Sequence, residues 1–181
     1  LKKAGVDKVH IKEILRSLAK LPNAQEAADA FFQLAFQLEE KGENIRYILS
    51  DLAKLPNAPE AANAFLQLIT QFRKAKMGGA YTWNILSTLA KLPNAQEIAE
   101  KLANPATAQS FSQLASQLEA AGVNTQTIGQ ILVSLSKLPN AQEAVEFLSQ
   151  LIAQLKESGM DKAGIIRVLS VLPAIALYLP A

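Results

Sequence analysis

A run of basic and aromatic residues near the middle of the chain has the side chains that nucleic-acid binding requires. In the segment QFRKAKMGGAYTWN, three cations, Arg73, Lys74 and Lys76, precede two glycines, and Tyr81 and Trp83 follow. Cations contact phosphates and aromatic rings stack on bases, so this segment is a candidate RNA or partner contact. The alternative is structural: cations near a helix C-terminus complement the helix dipole, while Trp83 packs under the next turn.

Eight glutamines form a second candidate site, because they recur as pairs four residues apart. An amide both donates and accepts hydrogen bonds, so a row of stacked pairs could contact the backbone of an extended polymer. The alternative is a structural ladder, or i, i+4 support on a solvated helix face. The pairs are Gln33/Gln37, Gln67/Gln71, Gln113/Gln117 and Gln150/Gln154.

The inventory of reactive side chains argues against catalysis. The chain has no cysteine and one histidine, His10, which we interpret as structural because it lies near the apolar side of its helical pattern. Gly78 and Gly79 follow a predicted helix rather than a strand, so they do not match a phosphate-binding loop. We therefore expect no enzyme activity, no cofactor, no metal site and no small-molecule substrate.

Composition narrows the class of partner. The 181 residues are 50% hydrophobic, which is enough for a packed core, and the formal net charge of +2 gives no strong field toward nucleic acid or membrane. No uninterrupted apolar run approaches the roughly 18 residues that a bilayer span needs, so we expect no membrane segment. The composition is of the soluble, cytoplasmic type, but it does not identify the cellular compartment. Because the sequence starts at Leu1 rather than Met, we expect it to be a piece of a longer protein.

One nine-residue phrase occurs four times: LAKLPNAQE at 18–26, LAKLPNAPE at 52–60, LAKLPNAQE at 89–97 and LSKLPNAQE at 135–143. Successive Leu-Pro pairs are 34, 37, 46 and 34 residues apart, which indicates a 34-residue unit with insertions in the second and third copies. The third copy has nine extra residues within 98–108, where Asn104-Pro105 is expected to break the helix. The predicted divisions are a partial leading repeat at 1–22, repeats at 23–56, 57–93, 94–139 and 140–173, and a cap or truncated repeat at 174–181.

Each unit is predicted to contain two helices. The first begins at Asn-Ala-(Gln/Pro)-Glu, where the asparagine should cap the helix and the glutamate should bond back to the cap's N–H. The preceding proline stops the earlier helix, and a left-handed glycine should end the new one, three residues late in the second repeat. The phrase is therefore interpreted as a joint between helices rather than a site. The predicted capping pairs are Asn23/Glu26, Asn57/Glu60, Asn94/Glu97 and Asn140/Glu143, and the predicted glycines are Gly42, Gly79, Gly122 and Gly159.

The phrases ILSDLAKLPNA, ILSTLAKLPNA and ILVSLSKLPNA resemble the ALAKL-type repeats of octotricopeptide proteins and the related Ser-Lys-Trp-Pro repeats of bacterial secreted effectors. Leucine stands where the second motif has tryptophan, at Leu21, Leu55, Leu92 and Leu138. The resemblance implies an α-solenoid. It further implies RNA binding if the octotricopeptide likeness applies, and a host-directed role if the effector likeness applies.

Positions that vary between repeats are where specificity would lie, because residues repeated unchanged cannot encode it. Arg46 and Tyr47 occupy such positions on the second helix of their unit, and we add them to the candidate contacts. The same variation also arises by drift on an exposed face.

These patterns predict an all-α, right-handed α-solenoid of about four and a half two-helix repeats. The favoured function is a non-catalytic scaffold that binds protein or peptide, given the near-neutral charge and the apolar tail at 174–181. The alternative is single-stranded RNA binding, and the third possibility is a structural spacer in a longer protein.

Overall fold

The computed structural model describes residues 8–21, 23–38, 45–138, 140–161, 163–165 and 167–168. Within these ranges the regular secondary structure is helical and no strand occurs, which confirms the all-α prediction. Predictions for Pro22, Gly42, Pro139 and Pro173 and for the tail at 174–181 lie outside the described residues. The helices are α1 (Lys8–Leu18), α2 (Ala24–Gln37), α3 (Ile45–Leu52), α4 (Ala58–Lys74), α5 (Gly79–Leu89), α6 (Ala95–Leu102), α7 (Pro105–Ala120), α8 (Thr125–Ser136) and α9 (Ala141–Glu157).

The repeated phrase lies at a joint between two helices in all four copies. It connects α1 to α2, α3 to α4, α5 to α6 and α8 to α9. The preceding helix closes with two i→i+3 bonds; in the third copy, the Lys91 N–H donates to the Thr88 carbonyl and the Leu92 N–H to the Leu89 carbonyl. Such bonds tighten the last turn and satisfy carbonyls that the helix would leave open. The prediction of a joint is confirmed.

The predicted side-chain caps at these joints are wrong. Asn23, Asn94 and Asn140 occupy N-cap positions, and their carbonyls accept the first helical bond, but their side chains make no cap hydrogen bond. Their ψ angles of 27° to 45° depart from the extended backbone that aims a capping oxygen at the first turn. Asn57 differs again, since its Nδ2 donates to Gln96 Oε1 and its Oδ1 is buried with no hydrogen-bond partner. The asparagine of the phrase therefore starts the helix through its backbone alone.

Two asparagines outside the phrase do cap helices. Asn104 has an extended backbone and accepts from the Ala106 N–H at 2.9 Å, and Pro105 supplies the first residue of α7. Asn124 accepts from the Thr127 N–H at 2.9 Å and starts α8. The Asn104 cap confirms the predicted break, and the insertion divides the first helix of its repeat into α6 and α7.

The ends of the long helices follow the glycine prediction at two of the three described sites. Gly122 and Gly159 have φ of 83° and 77°, in the left-handed region that glycine tolerates. In the second repeat Lys76, with φ of 58°, takes this conformation, and the prediction for Gly79 is wrong because Gly79 begins α5. The Met77 N–H donates to the Phe72 carbonyl at 2.9 Å, which completes the same C-terminal motif that follows Gly122. A non-glycine residue is therefore held in a strained conformation at this end.

Replacing Lys76 by glycine is expected to raise the free energy of unfolding by about 1 kcal/mol, because glycine adopts positive φ without the steric cost of a Cβ atom. Urea unfolding followed by circular dichroism measures the change. Lys76→Ala is the control, since it removes the charge but keeps the Cβ atom. An equal gain in both variants would assign the effect to charge instead.

The chain divides into two compact units, each with an apolar core of packed helices. Unit 1 comprises Leu1–Gln71 and Leu86–Ala103, and in it α1 packs against α2 and α3, and α2 packs against α3. Unit 2 comprises Phe72–Ile85 and Asn104–Ala181, and in it α7 packs against α8 and α9, and α8 packs against α9.

Large apolar side chains fill both cores. Unit 1 buries Phe31 and Leu49, and unit 2 buries Leu132 and stacks Phe72 on Phe111 with ring centroids 6.4 Å apart. Burial of apolar side chains of this size is the main force that holds such helices together.

Candidate binding surfaces

The glutamine pairs do not form one uniform surface. The first glutamine of each pair is exposed, at Gln33, Gln67, Gln113 and Gln150. The second is half-buried at Gln37, Gln71 and Gln117 and exposed at Gln154, and the Oε1 atom of Gln117 is buried with no hydrogen-bond partner. Only the first member of each pair, together with Gln154, offers a freely accessible amide.

The basic and aromatic segment separates into an exposed part and a buried part. Arg73, Lys74 and Lys76 are exposed at the end of α4. Tyr81 is only 4% exposed, and its hydroxyl donates to Glu119 Oε1 at 2.6 Å. Trp83 is half-buried on α5. Tyr81 therefore presents little of its ring to a base, whereas the three cations are accessible to solvent.

Burial, together with the hydrogen bond to Glu119, raises the pKa of the Tyr81 phenol to about 12. The nearby Thr125 side chain acts in the opposite direction. The hydroxyl therefore keeps its proton over the whole physiological range and acts as a structural donor.

Arg46 and Tyr47 form a contact of their own on α3. The Arg46 Nη2 donates to the Tyr47 hydroxyl at 2.9 Å, and its guanidinium carbon lies 4.7 Å from the centre of the tyrosine ring. His10 of α1 meets the same ring edge-on at 6.4 Å between centroids. Tyr47 stays 51% exposed, so this cluster presents an aromatic surface with a cation attached. It lies in unit 1, whereas residues 73–83, with their cations, lie in unit 2.

Sequence reasoning missed a polar contact made by the glutamine inside the repeated phrase. Gln96 accepts from Asn57 at the start of α4, and Gln142 Oε1 accepts from the Thr107 hydroxyl of α7 at 3.1 Å. Each glutamine also donates to an acidic residue four positions later, in the pairs Gln25/Asp29, Gln96/Glu100 and Gln142/Glu146. The signal was present as Gln-x-x-x-(Asp/Glu) at the start of three helices. Of these amides, Gln96 and Gln142 join one helix to another, which explains part of the phrase's recurrence.

Unit 1 exposes large apolar side chains on its first three helices. The exposed fraction is 61% for Phe32 and 65% for Phe36, which follow one another by one turn of α2. Val9 and Leu15 of α1 and Tyr47 of α3 are also exposed. Phe32 and Phe36 share one face of α2, and adjacent exposed apolar side chains, unlike single ones, are typical of interaction surfaces. The sequence pattern identified Phe31 as core but gave no role to Phe32 and Phe36.

An open groove runs along α1. Its apolar floor is formed by Ile11, Leu15 and Ala19, which are spaced one turn apart, and the open space above it measures about 450 Å³. A parallel row of cations borders the floor, at Lys8, Lys12 and Arg16. We call this feature the α1 groove.

The described residues contain no group of three or more His, Cys, Asp or Glu side chains arranged to hold a metal ion. Nor does any helix in the described part of the chain have the length and apolar character to cross a membrane. Comparison with protein-family models, curated proteins and solved structures found no match. The fold and these surfaces define an all-helical protein with exposed apolar helix faces.

Proposed function

We propose that this protein is a non-catalytic helical-repeat scaffold that binds protein or peptide helices. The observation that carries the proposal is the concentration of exposed Val9, Leu15, Phe32, Phe36 and Tyr47 on α1–α3. Apolar helix faces of this kind bind amphipathic helices, whose own apolar stripe is removed from water on contact.

The repeat architecture that we infer is the right-handed α-solenoid of about four and a half units. It is supported by the same joint at four positions and by neighbour packing inside each unit, where α1 meets α3 and α7 meets α9. A single two-helix unit cannot bury its apolar stripe, so stacking of such units supplies the core.

Selection of helical peptides from a random display library on the immobilised protein tests the proposed function. We expect the selection to enrich amphipathic sequences. We expect some of the enriched peptides to lose binding to the double variant Phe32→Ser/Phe36→Ser. Phe147→Ser is the matched control, because Phe147 is 56% exposed on α9 of unit 2. Failure to enrich any sequence above a bare surface would contradict the proposal.

RNA binding is the second candidate, and exposed Arg73, Lys74 and Lys76 favour it together with the octotricopeptide resemblance. Fluorescence anisotropy with a random single-stranded RNA pool at about 50 and 200 mM salt measures it, since affinity that depends on phosphate contacts falls steeply over this range. RNA binding predicts micromolar or tighter affinity that is lost in Arg73→Ala/Lys74→Ala/Lys76→Ala and kept in Lys101→Ala/Lys137→Ala/Lys156→Ala. The scaffold proposal predicts no such binding. If neither peptide nor RNA binds, the spacer role becomes the better description.

A further inference from the structure

The floor of the α1 groove occupies a register that other helices bury. Counted back from the Leu-Pro pair, Leu15 corresponds to Leu49 of α3 and Leu132 of α8. Leu15 is 49% exposed, whereas Leu49 and Leu132 are fully buried. Ile11 corresponds to Ile45 and Ile128, and Ala19 corresponds to Ala53 and Ser136. All four of these corresponding residues are buried.

The two helices that bury this register each pack against two other helices. In unit 1, α3 packs against α1 and α2, and in unit 2, α8 packs against α7 and α9. The apolar spacing that accepts a helix in those places is repeated on α1, where Leu15 stays in contact with water. The α1 groove therefore presents to solvent an apolar spacing that α3 and α8 bury.

A complete row of three cations distinguishes the α1 groove from the equivalent faces of α3 and α8. Lys12 corresponds to Arg46 of α3 and Gly129 of α8, and Arg16 corresponds to Ser50 of α3 and Val133 of α8, so neither α3 nor α8 has the complete row. Lys8, Lys12 and Arg16 are all exposed, and they follow one another at one-turn intervals over about 12 Å of helix. Like charges at i, i+4 repel and weaken an isolated helix, so an anionic neighbour would relieve a cost that α1 carries alone.

We propose that the α1 groove binds an acidic amphipathic helix of a partner protein, an inference that rests on the proposed scaffold function. The apolar stripe of the partner covers Ile11, Leu15 and Ala19. Carboxylates at one-turn spacing beside that stripe pair with Lys8, Lys12 and Arg16. The apolar floor supplies affinity, and the cations select acidic partners over neutral ones.

Two labelled peptides that differ only in charge test the inference. Both have the sequence of residues 140–157, in which α9 is an amphipathic helix with Val145, Leu148 and Ile152 on its buried face. One contains Ser149→Glu and Ala153→Glu and the other Ser149→Lys and Ala153→Lys, because these two positions are one turn apart and border that face. Fluorescence anisotropy against the full chain is expected to give at least about tenfold tighter binding of the acidic peptide. The difference should shrink as salt rises from about 50 to 500 mM.

Variants of the full chain locate the binding. Lys12→Glu with Arg16→Glu is expected to weaken acidic-peptide binding at least about tenfold and to reverse the preference between the two peptides. Leu15→Gln should weaken both peptides by about tenfold or more, while Leu15→Met retains binding. Lys101→Glu with Lys137→Glu is the matched charge control, and thermal unfolding checks that each variant folds.

Equal affinity for the two peptides would overturn the acidic-helix proposal. So would an affinity that neither Leu15→Gln nor the charge reversal changes. The scaffold function would still stand if display selection enriches peptides that bind elsewhere, so the two failures are distinguishable. Sedimentation tests a second copy as the occupant. Concentration-dependent self-association of the wild type that Leu15→Gln abolishes would assign the groove to another copy of this chain and overturn a separate partner.

Discussion

Replacing Gly129 by alanine is expected to lower the free energy of unfolding by about 1–3 kcal/mol, although alanine is the better helix former. Gly129 is buried on α8, and a Cβ atom placed there would overlap the Asn84 side-chain amide of α5, with Asn84 Cγ at 3.3 Å. An asparagine side chain is short, so it cannot withdraw far without moving the backbone. The close approach of these two residues of unit 2 therefore depends on the missing Cβ atom.

Removal of the obstructing side chain should reverse the sign of this effect. In an Asn84→Ala background, Gly129→Ala is expected to stabilise the protein by about 0.5–1 kcal/mol, because only the helix propensity remains. Urea unfolding of the four members of the double-mutant cycle measures the coupling. Gln130→Ala, at the next and exposed position of α8, is the control and should change stability little. Additive effects in the cycle would show that Asn84 is not the cause.

Replacing Tyr81 by phenylalanine is expected to lower the free energy of unfolding by about 2 kcal/mol near pH 8. The buried ring stays in place, but the 2.6 Å hydrogen bond to the Glu119 carboxylate is lost, and bonds to charged groups contribute more than neutral ones. Thr82→Ala, next in sequence and half-buried, is a suitable control.

The Tyr81 hydrogen bond should also depend on pH in a defined direction. The pKa of Tyr81 rises from 10.0 to about 12 on folding, so between these values the folded state holds a proton that the unfolded state has released. Stability from this group is therefore complete below about pH 10 and is lost as pH rises toward 12. The difference in free energy of unfolding between wild type and Tyr81→Phe should shrink over that window. Subtraction of the two curves removes the titration of lysines, and a constant difference would contradict the assignment.

The joints show how far local sequence reasoning extends. Pro56 and Pro93 mark helix boundaries because proline cannot continue a helix, and the positions of the following helices were predicted within a residue. The predicted side-chain caps at Asn23, Asn94 and Asn140 do not form, because capping depends on a ψ angle that the whole joint sets. Lys76 makes the same point for helix ends. The left-handed residue was predicted at Gly79, but α4 ends earlier and Lys76, three residues before that glycine, takes this conformation.

The candidate sites were harder to predict, because exposure depends on which neighbour covers a side chain. Tyr81 and Trp83 have similar sequence surroundings, yet Tyr81 is buried against Glu119 while Trp83 is half-exposed. Leu15 and Leu49 lie at the same distance before the proline of the repeated phrase, yet Leu15 is exposed and Leu49 is buried. Periodicity identifies the apolar face of a helix but does not say whether another helix is present to cover it.

Local sequence was sufficient to predict the helical class, the joints and the apolar register of each helix, because proline, glycine and the 3.6-residue period act through local geometry. Packing between distant residues makes Tyr81 a core donor, leaves the α1 groove open and lets Gln96 and Gln142 join helices. These outcomes require side chains that are far apart in sequence to meet. Free energies of burial and hydrogen bonding depend on that meeting, and a single sequence does not specify the distances involved.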